Sequence, residues 1–126
     1  MEYKTDMGRV IGLGSAKDGT REWWIHRLQS VALVPLTLYF IWKVAPLIGG
    51  SHAEVIAAFQ SPLTAISTIL FIMIAFMHLA GGLQEVIVDY VHGKACLVIL
   101  LVSTKLLCLG LGFAGAFAVA KIAFGA

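Results

Sequence analysis

His78, Glu85, Asp89 and His92 recur at spacings of seven, four and three along the run FMHLAGGLQEVIVDYVH, Phe76 to His92. A helix turns by about 100° per residue, so these positions share one face with Gly81 and Gly82. Leu79, Val86 and Ile87 fall off that face. The run lies in the second of three long apolar segments, where an imidazole and two carboxylates are costly against lipid. Such groups normally face a partner helix, a cofactor or a water-filled cavity. A neutral imidazole nitrogen is a good axial ligand for haem iron, and haem is a large apolar disc suited to a helical bundle. One turn after His78, Gly81 and Gly82 present no side chain, so a flat macrocycle or another helix could reach the backbone there. His78 therefore reads either as a haem ligand or as a buried histidine hydrogen-bonded to a neighbouring helix. His26, His52 and His92 are expected near membrane surfaces, so a second axial histidine would have to come from another protein. Asp89 and Tyr90 stand where the helix leaves the membrane. A phenol there can donate a hydrogen bond to a quinone carbonyl, and the carboxylate can organise water for proton delivery. An ordinary helix-end aspartate beside an interfacial tyrosine fits the same two positions.

The elements that carry these residues follow from composition. Of 126 residues, 60% are hydrophobic and only 13% charged, and the mean hydropathy is +0.92. Soluble domains run nearer half apolar and about a quarter charged, so the chain reads as one small membrane domain, residues 1–126. A net charge of +2 is too small to suggest nucleic-acid binding. Cys96 and Cys108 fall in the third apolar segment and read as reduced, buried thiols. No C-x-x-C or C-x-x-C-H pattern supports covalent haem or a zinc ribbon.

The expected fold class is an all-α membrane protein with three antiparallel transmembrane helices and a polar cytoplasmic N-terminal arm. Residues 1–27 form that arm and an interfacial segment. The opening residues lack the early apolar core of a signal peptide. Glu2, Asp6, Asp18 and Glu22 argue against a mitochondrial presequence, which favours a bacterial protein inserted through its internal helices. The run GLGSAKDG superficially resembles a phosphate-binding loop, but no strand precedes it and no βαβ unit follows. Trp23 and Trp24 suit headgroup depth, and Arg27 reads either as a positive-inside anchor or as an inward cation paired with an anion.

Spans are expected over 28–48, 63–88 and 95–120, since about twenty residues cross a core of roughly 30 Å. Pro35 is expected to bend the first span, and Lys43 to snorkel at its far end. The connection 49–62 contains AEVIAAF, which could form a short interfacial helix. Gly110, Gly112 and Gly115 give the third span a thin face for close packing. Five of the nine basic residues, Lys4, Arg9, Lys17, Arg21 and Arg27, precede the first span, and Lys94 lies in the second link. By the positive-inside rule the N-terminus and that link are cytoplasmic and the C-terminus is outside. His78 then lies eleven residues inward from Asp89, roughly 16 Å deep.

The pattern H-x10-D-Y, made by His78, Asp89 and Tyr90, resembles the small, D-type membrane-anchor subunit of succinate dehydrogenase, respiratory complex II. The upstream run GLGSAKDGTREWWIHRLQSVALVPL resembles the N-terminal segment of alphaproteobacterial versions, and the similarity extends over nearly the whole chain. The resemblance implies that His78 is one axial ligand of haem b, with the other from the larger cytochrome b anchor subunit. It implies that Asp89 and Tyr90 border the ubiquinone site beside the iron–sulfur subunit, and that Arg27 lies near the haem propionates. It further implies a subunit that is not catalytic alone, docking the flavoprotein and iron–sulfur subunits to a bacterial inner membrane. Glu85, His92 and Lys105 take no role from the resemblance. The alternatives are a b-haem anchor of another respiratory complex, such as a fumarate reductase, or a cofactor-free small transporter or assembly factor.

Overall fold

The computed structural model describes residue 7 and residues 19–125. Residues 1–6 and 8–18 of the expected arm and interfacial segment, including all of GLGSAKDG except Gly19, lie outside the described residues. Among them the chain is all α-helical: α1 (Gly19–Val44), α2 (His52–Gln60), α3 (Pro62–Tyr90) and α4 (Lys94–Ala123), with a single 3₁₀ turn over Ala45–Leu47. Helices are the natural outcome, because backbone N–H and C=O groups in lipid must be satisfied within the segment itself. Three helices are long and apolar enough to cross a membrane, of 29, 29 and 30 residues once the 3₁₀ turn is added to α1. Among the described residues the protein has three membrane-spanning helices.

Local sequence explains most of the boundaries. α1 starts at Gly19, well before the span expected from residue 28, because EWWIHR contains no helix breaker and Glu22 sits in the first turn, where a negative charge favours the helix dipole. Pro35 lies inside α1 without ending it. Lys43 Nζ stands 4.6 Å from the Trp42 ring centroid, so its charge rests on an aromatic face near the helix end. Gly49 has φ +83°, a conformation that glycine adopts without strain. It turns the chain into α2. Ser51 accepts from the Glu54 N–H while the Glu54 carboxylate accepts from the Ser51 N–H, a reciprocal cap that fixes the start of α2. Pro62 opens α3 at a position where its missing N–H has no cost. α3 runs on through Asp89 and Tyr90, so both are helical and His92 falls in the link.

α3 is the central helix, with α1 packed on one side and α4 on the other, and α2 touches both α3 and α4. Tyr39 and Thr64 share a hydrogen bond of 3.4 Å between their hydroxyls, and Phe40 stacks on Phe71 at 4.8 Å. The buried residues of α3 and α4 are Thr64, Ala65, Thr68, Cys108, Gly112 and Val119. None is larger than valine, as expected where close approach of backbones replaces a hydrophobic driving force. Both cysteines are free, but only Cys108 is buried. Cys96 lies on the exposed first turn of α4, which corrects the expectation of two buried thiols.

The glycine face of α4 is used unevenly. A Cβ on Gly115 would lie 3.1 Å from Ile72 Cγ2, and one on Gly112 3.4 Å from Phe76 Cβ, whereas one on Gly110 would meet nothing within 4 Å. Gly115→Leu is expected to push α4 off α3 and cost about 1–3 kcal/mol through overpacking. Gly110→Ala should be neutral or slightly stabilising, because alanine is the better helix former. Thermal unfolding of the detergent-solubilised protein measures both.

Candidate functional site

His26 and His78 come together. Their ring centroids are 5.0 Å apart with planes inclined at 48°. His26 is seven residues into α1, roughly 10 Å from its start, because the helix begins at Gly19. It reaches the level of His78, which corrects the expectation that no other histidine of the chain does. The His26 imidazole lies directly over Gly81, with Cε1 2.6 Å from where a Cβ would be. Of the two ways to use the missing side chain, the structure uses helix approach: α1 occupies the Gly81 notch. Gly82 faces open space.

His78 is half-buried, and its Nδ1 is buried with no hydrogen-bond partner. The side-chain oxygen of Gln29, one turn beyond His26 on α1, is in the same condition. Both are unusual, since buried polar atoms are nearly always paired.

Beside this contact a cavity of about 810 Å³ opens between α1 and α4, with α3 as its floor. Glu22, His26 and Gln29 line it from α1, Gly81 and Glu85 from α3, and Lys105 and Cys108 from α4. The sequence pattern left Glu85 and Lys105 without a role. The structure places both on the lining of one mainly apolar cavity, so two ionisable side chains in apolar spans share one opening, as intramembrane ionisable groups commonly do.

The other expected site residues stand apart from the histidine pair. Arg27 is exposed, with its guanidinium carbon 4.6 Å from the Trp23 ring centroid. It lines a shallow groove with His26, Ser30 and Val34, not the larger cavity. Asp89 and Tyr90 end α3 and are exposed, Tyr90 at 79%. They lie roughly 16 Å along the helix from His78. Among the described residues no three His, Cys, Asp or Glu side chains converge as a metal site. Sequence reasoning missed Gln29 and the inward placement of His26. Their spacing of three, on a helix begun at Gly19, was the available signal.

The family profile described as succinate dehydrogenase/fumarate reductase transmembrane subunit matches residues 1–111. The chain belongs to this family. It is a membrane-anchor subunit of a succinate dehydrogenase- or fumarate reductase-type complex and carries no catalysis by itself. The succinate dehydrogenase hydrophobic membrane anchor subunit of Paracoccus denitrificans is 38% identical over 93 residues, covering 74% of this chain and 72% of the relative. The membrane anchor subunit from Reclinomonas americana is 33% identical over 81 residues, 62% and 68% of the two chains. The hydrophobic membrane anchor subunit of Rickettsia bellii is 22% identical over 105 residues, 83% and 84% of the two. No solved structure matches the chain.

The Gly81 notch gives a signed prediction for this anchor subunit. Gly81→Ala must displace His26 and is expected to destabilise the α1–α3 contact by about 1–3 kcal/mol. Gly82→Ala should stabilise α3 by up to about 1 kcal/mol through helix propensity. Parallel melting curves of the two variants should move in opposite directions.

Proposed function

We propose that the whole chain, residues 1–126, is the small anchor of a succinate:ubiquinone oxidoreductase. In this reading His78 gives one axial imidazole to haem b, and Asp89 and Tyr90 border the ubiquinone-reduction site. Arg27 faces a haem propionate, and the chain docks the flavoprotein and iron–sulfur subunits to the membrane. The observation that carries the reading is His78 itself. In a subunit of this family, it holds an imidazole mid-span with one buried nitrogen unpaired. The relatives named above are all succinate dehydrogenase subunits, which favours succinate oxidation over fumarate reduction.

The donor set suits haem in number and kind. One histidine in apolar surroundings would give one ligand to haem iron, and the second would come from the larger cytochrome b subunit. His26, seated over Gly81, limits how closely a macrocycle can approach α3 at that level. Haem b, when bound, supplies a one-electron centre within the anchor. The Arg27 guanidinium lies over the Trp23 ring, and its planar set of N–H groups suits bidentate pairing with a carboxylate.

Quinone reduction adds two electrons and two protons. The electrons arrive from the iron–sulfur subunit. Tyr90 donates its O–H to a quinone oxygen and so holds the ring, while Asp89 orders water for proton delivery, one proton being taken up at each of the two quinone oxygens. Both side chains project from the end of α3, away from the rest of this chain, so the remaining walls belong to the partner subunits.

The membrane path is antiparallel in this reading. Gly112 approaches Phe76 while Gly115 approaches Ile72, and His26 meets Gly81 while Phe40 meets Phe71, so partner numbers fall as α1 and α4 advance. The basic residues before the expected first span at residue 28 then put the N-terminus and the α3–α4 link in the cytoplasm of a bacterium, and the C-terminus in the periplasm.

His78→Ala is expected to abolish or alter the low-spin b-type spectrum of the assembled complex, because neither water nor a methyl group replaces imidazole. His52→Ala should leave it unchanged. A normal low-spin spectrum in an assembled His78→Ala complex would remove this residue as the ligand.

Tyr90→Phe keeps the ring and removes the donor. Leaving a quinone oxygen unpaired costs roughly 1–3 kcal/mol, so ubiquinone reduction should fall about tenfold or more. Succinate oxidation by a dye that takes electrons upstream should barely change. Asp89→Asn should lower quinone reduction with an altered pH dependence. Assaying both acceptors on the same membranes, with haem content as the assembly control, decides the matter. Wild-type ubiquinone turnover in both variants across pH would leave only the anchor role.

A further inference from the structure

We propose that Gln29 is the positioning residue of the axial histidine, its side-chain oxygen accepting the Nδ1–H of His78. The inference rests on the reading that His78 ligates haem. It starts from two atoms. Among the described residues, the buried side-chain atoms without a hydrogen-bond partner are Gln29 Oε1 and His78 Nδ1. The first is an acceptor, and the second is a donor whenever Nε2 is the ligating nitrogen. Each is costly alone, and each answers the other.

Register brings them to the same level. His26 on α1 lies over Gly81 on α3. With the two helices antiparallel, three residues onward on α1 is Gln29, and three residues back on α3 is His78. His26 and Gln29 also border the same cavity, and the His26 ring is already 5.0 Å from the His78 ring. His26 is the rival acceptor, but its Nε2 is turned into the Gly81 notch. Helix backbone carbonyls beside His78 are engaged within α3. Gln29 has three side-chain torsions with which to close the remaining gap.

The consequence for the ligand is definite. A histidine bound to a metal through one nitrogen almost always donates its other N–H to an acceptor, which fixes the tautomer and ring orientation and raises the ligand's basicity. With Gln29 accepting at Nδ1, Nε2 is held unprotonated at the outer end of the ring and aimed away from α1. A more basic imidazole favours ferric over ferrous iron and so lowers the haem potential.

The test uses the complete purified complex carrying Gln29→Met, Gln29→Glu or His78→Ala. Its readouts are haem retained under detergent challenge, the low-spin spectrum and the haem midpoint potential from redox titration. Gln29→Met keeps the side chain's length and removes the acceptor. Haem should be held about tenfold or more weakly, and the potential should rise with the low-spin spectrum retained. Gln29→Glu supplies a stronger acceptor and should lower the potential. Loss of packing alone would not move the two potentials in opposite directions. An unmoved potential and normal retention in Gln29→Met, with the spectrum lost in His78→Ala, would overturn the role of Gln29 and leave ligation by His78 standing. An intact spectrum in His78→Ala would overturn ligation itself. If Gln29→Met does not assemble, an unmoved potential in Gln29→Glu overturns the proposal.

Discussion

The approach of α1 to α3 depends on a side chain that is missing. At Gly81 the backbone of α3 is bare, and the His26 imidazole occupies the space that any Cβ would need. Helices in lipid gain little from burying apolar surface against one another, so they associate where small residues let them fit. This notch therefore sets how close α1 can come, and at what level. Because His26 is seated there, His78 one turn away faces α1 instead of lipid, and Gln29 is carried to the same region.

Packing is tight at one end of α3 and loose at the other. Thr64, Ala65 and Thr68 in its first turns are buried, and α2 packs against this part of the fold. Farther along, α1 and α4 stand apart on either side of α3, and the cavity fills the gap from Met73 to Glu85. The residues with chemical capacity, from His78 to Tyr90, all lie on the loose half. A rigid end and an open end on one helix is a sensible division for an anchor. The packed half holds α3 against its neighbours, and the open half leaves polar side chains along the cavity and at the helix end.

The small core is consistent with the same role. A water-soluble chain of this length must bury a large share of its apolar side chains. Here Leu28, Val31, Leu38, Leu106, Leu107 and Phe117 are all exposed outward, which lipid and neighbouring subunits can accept and water cannot. Glu85 and Lys105 are exposed side chains that border one cavity, which gives two ionisable groups in apolar spans an opening to face.

Sequence alone determined the three spans, their approximate bounds and the placement of His78 mid-span with Asp89 and Tyr90 at the helix end. These follow from hydropathy and from the fixed rise and rotation of a helix, which need no knowledge of neighbours. The pattern H-x10-D-Y and the EWWIHR segment were equally legible, because they are local strings. The start of α1 was not, since apolar composition marks where lipid begins and not where a helix does. That difference of about two turns hid the approach of His26 to His78. Which alternative the glycines served was also beyond the sequence: a bare backbone admits a macrocycle or a helix equally well, and only the packing of α1 decided for the helix. Likewise, nothing in residue spacing seats His26 over Gly81 or brings Gln29, Glu85 and Lys105 to the lining of one cavity. Those juxtapositions join different helices, and the relative register of helices is decided by tertiary packing alone.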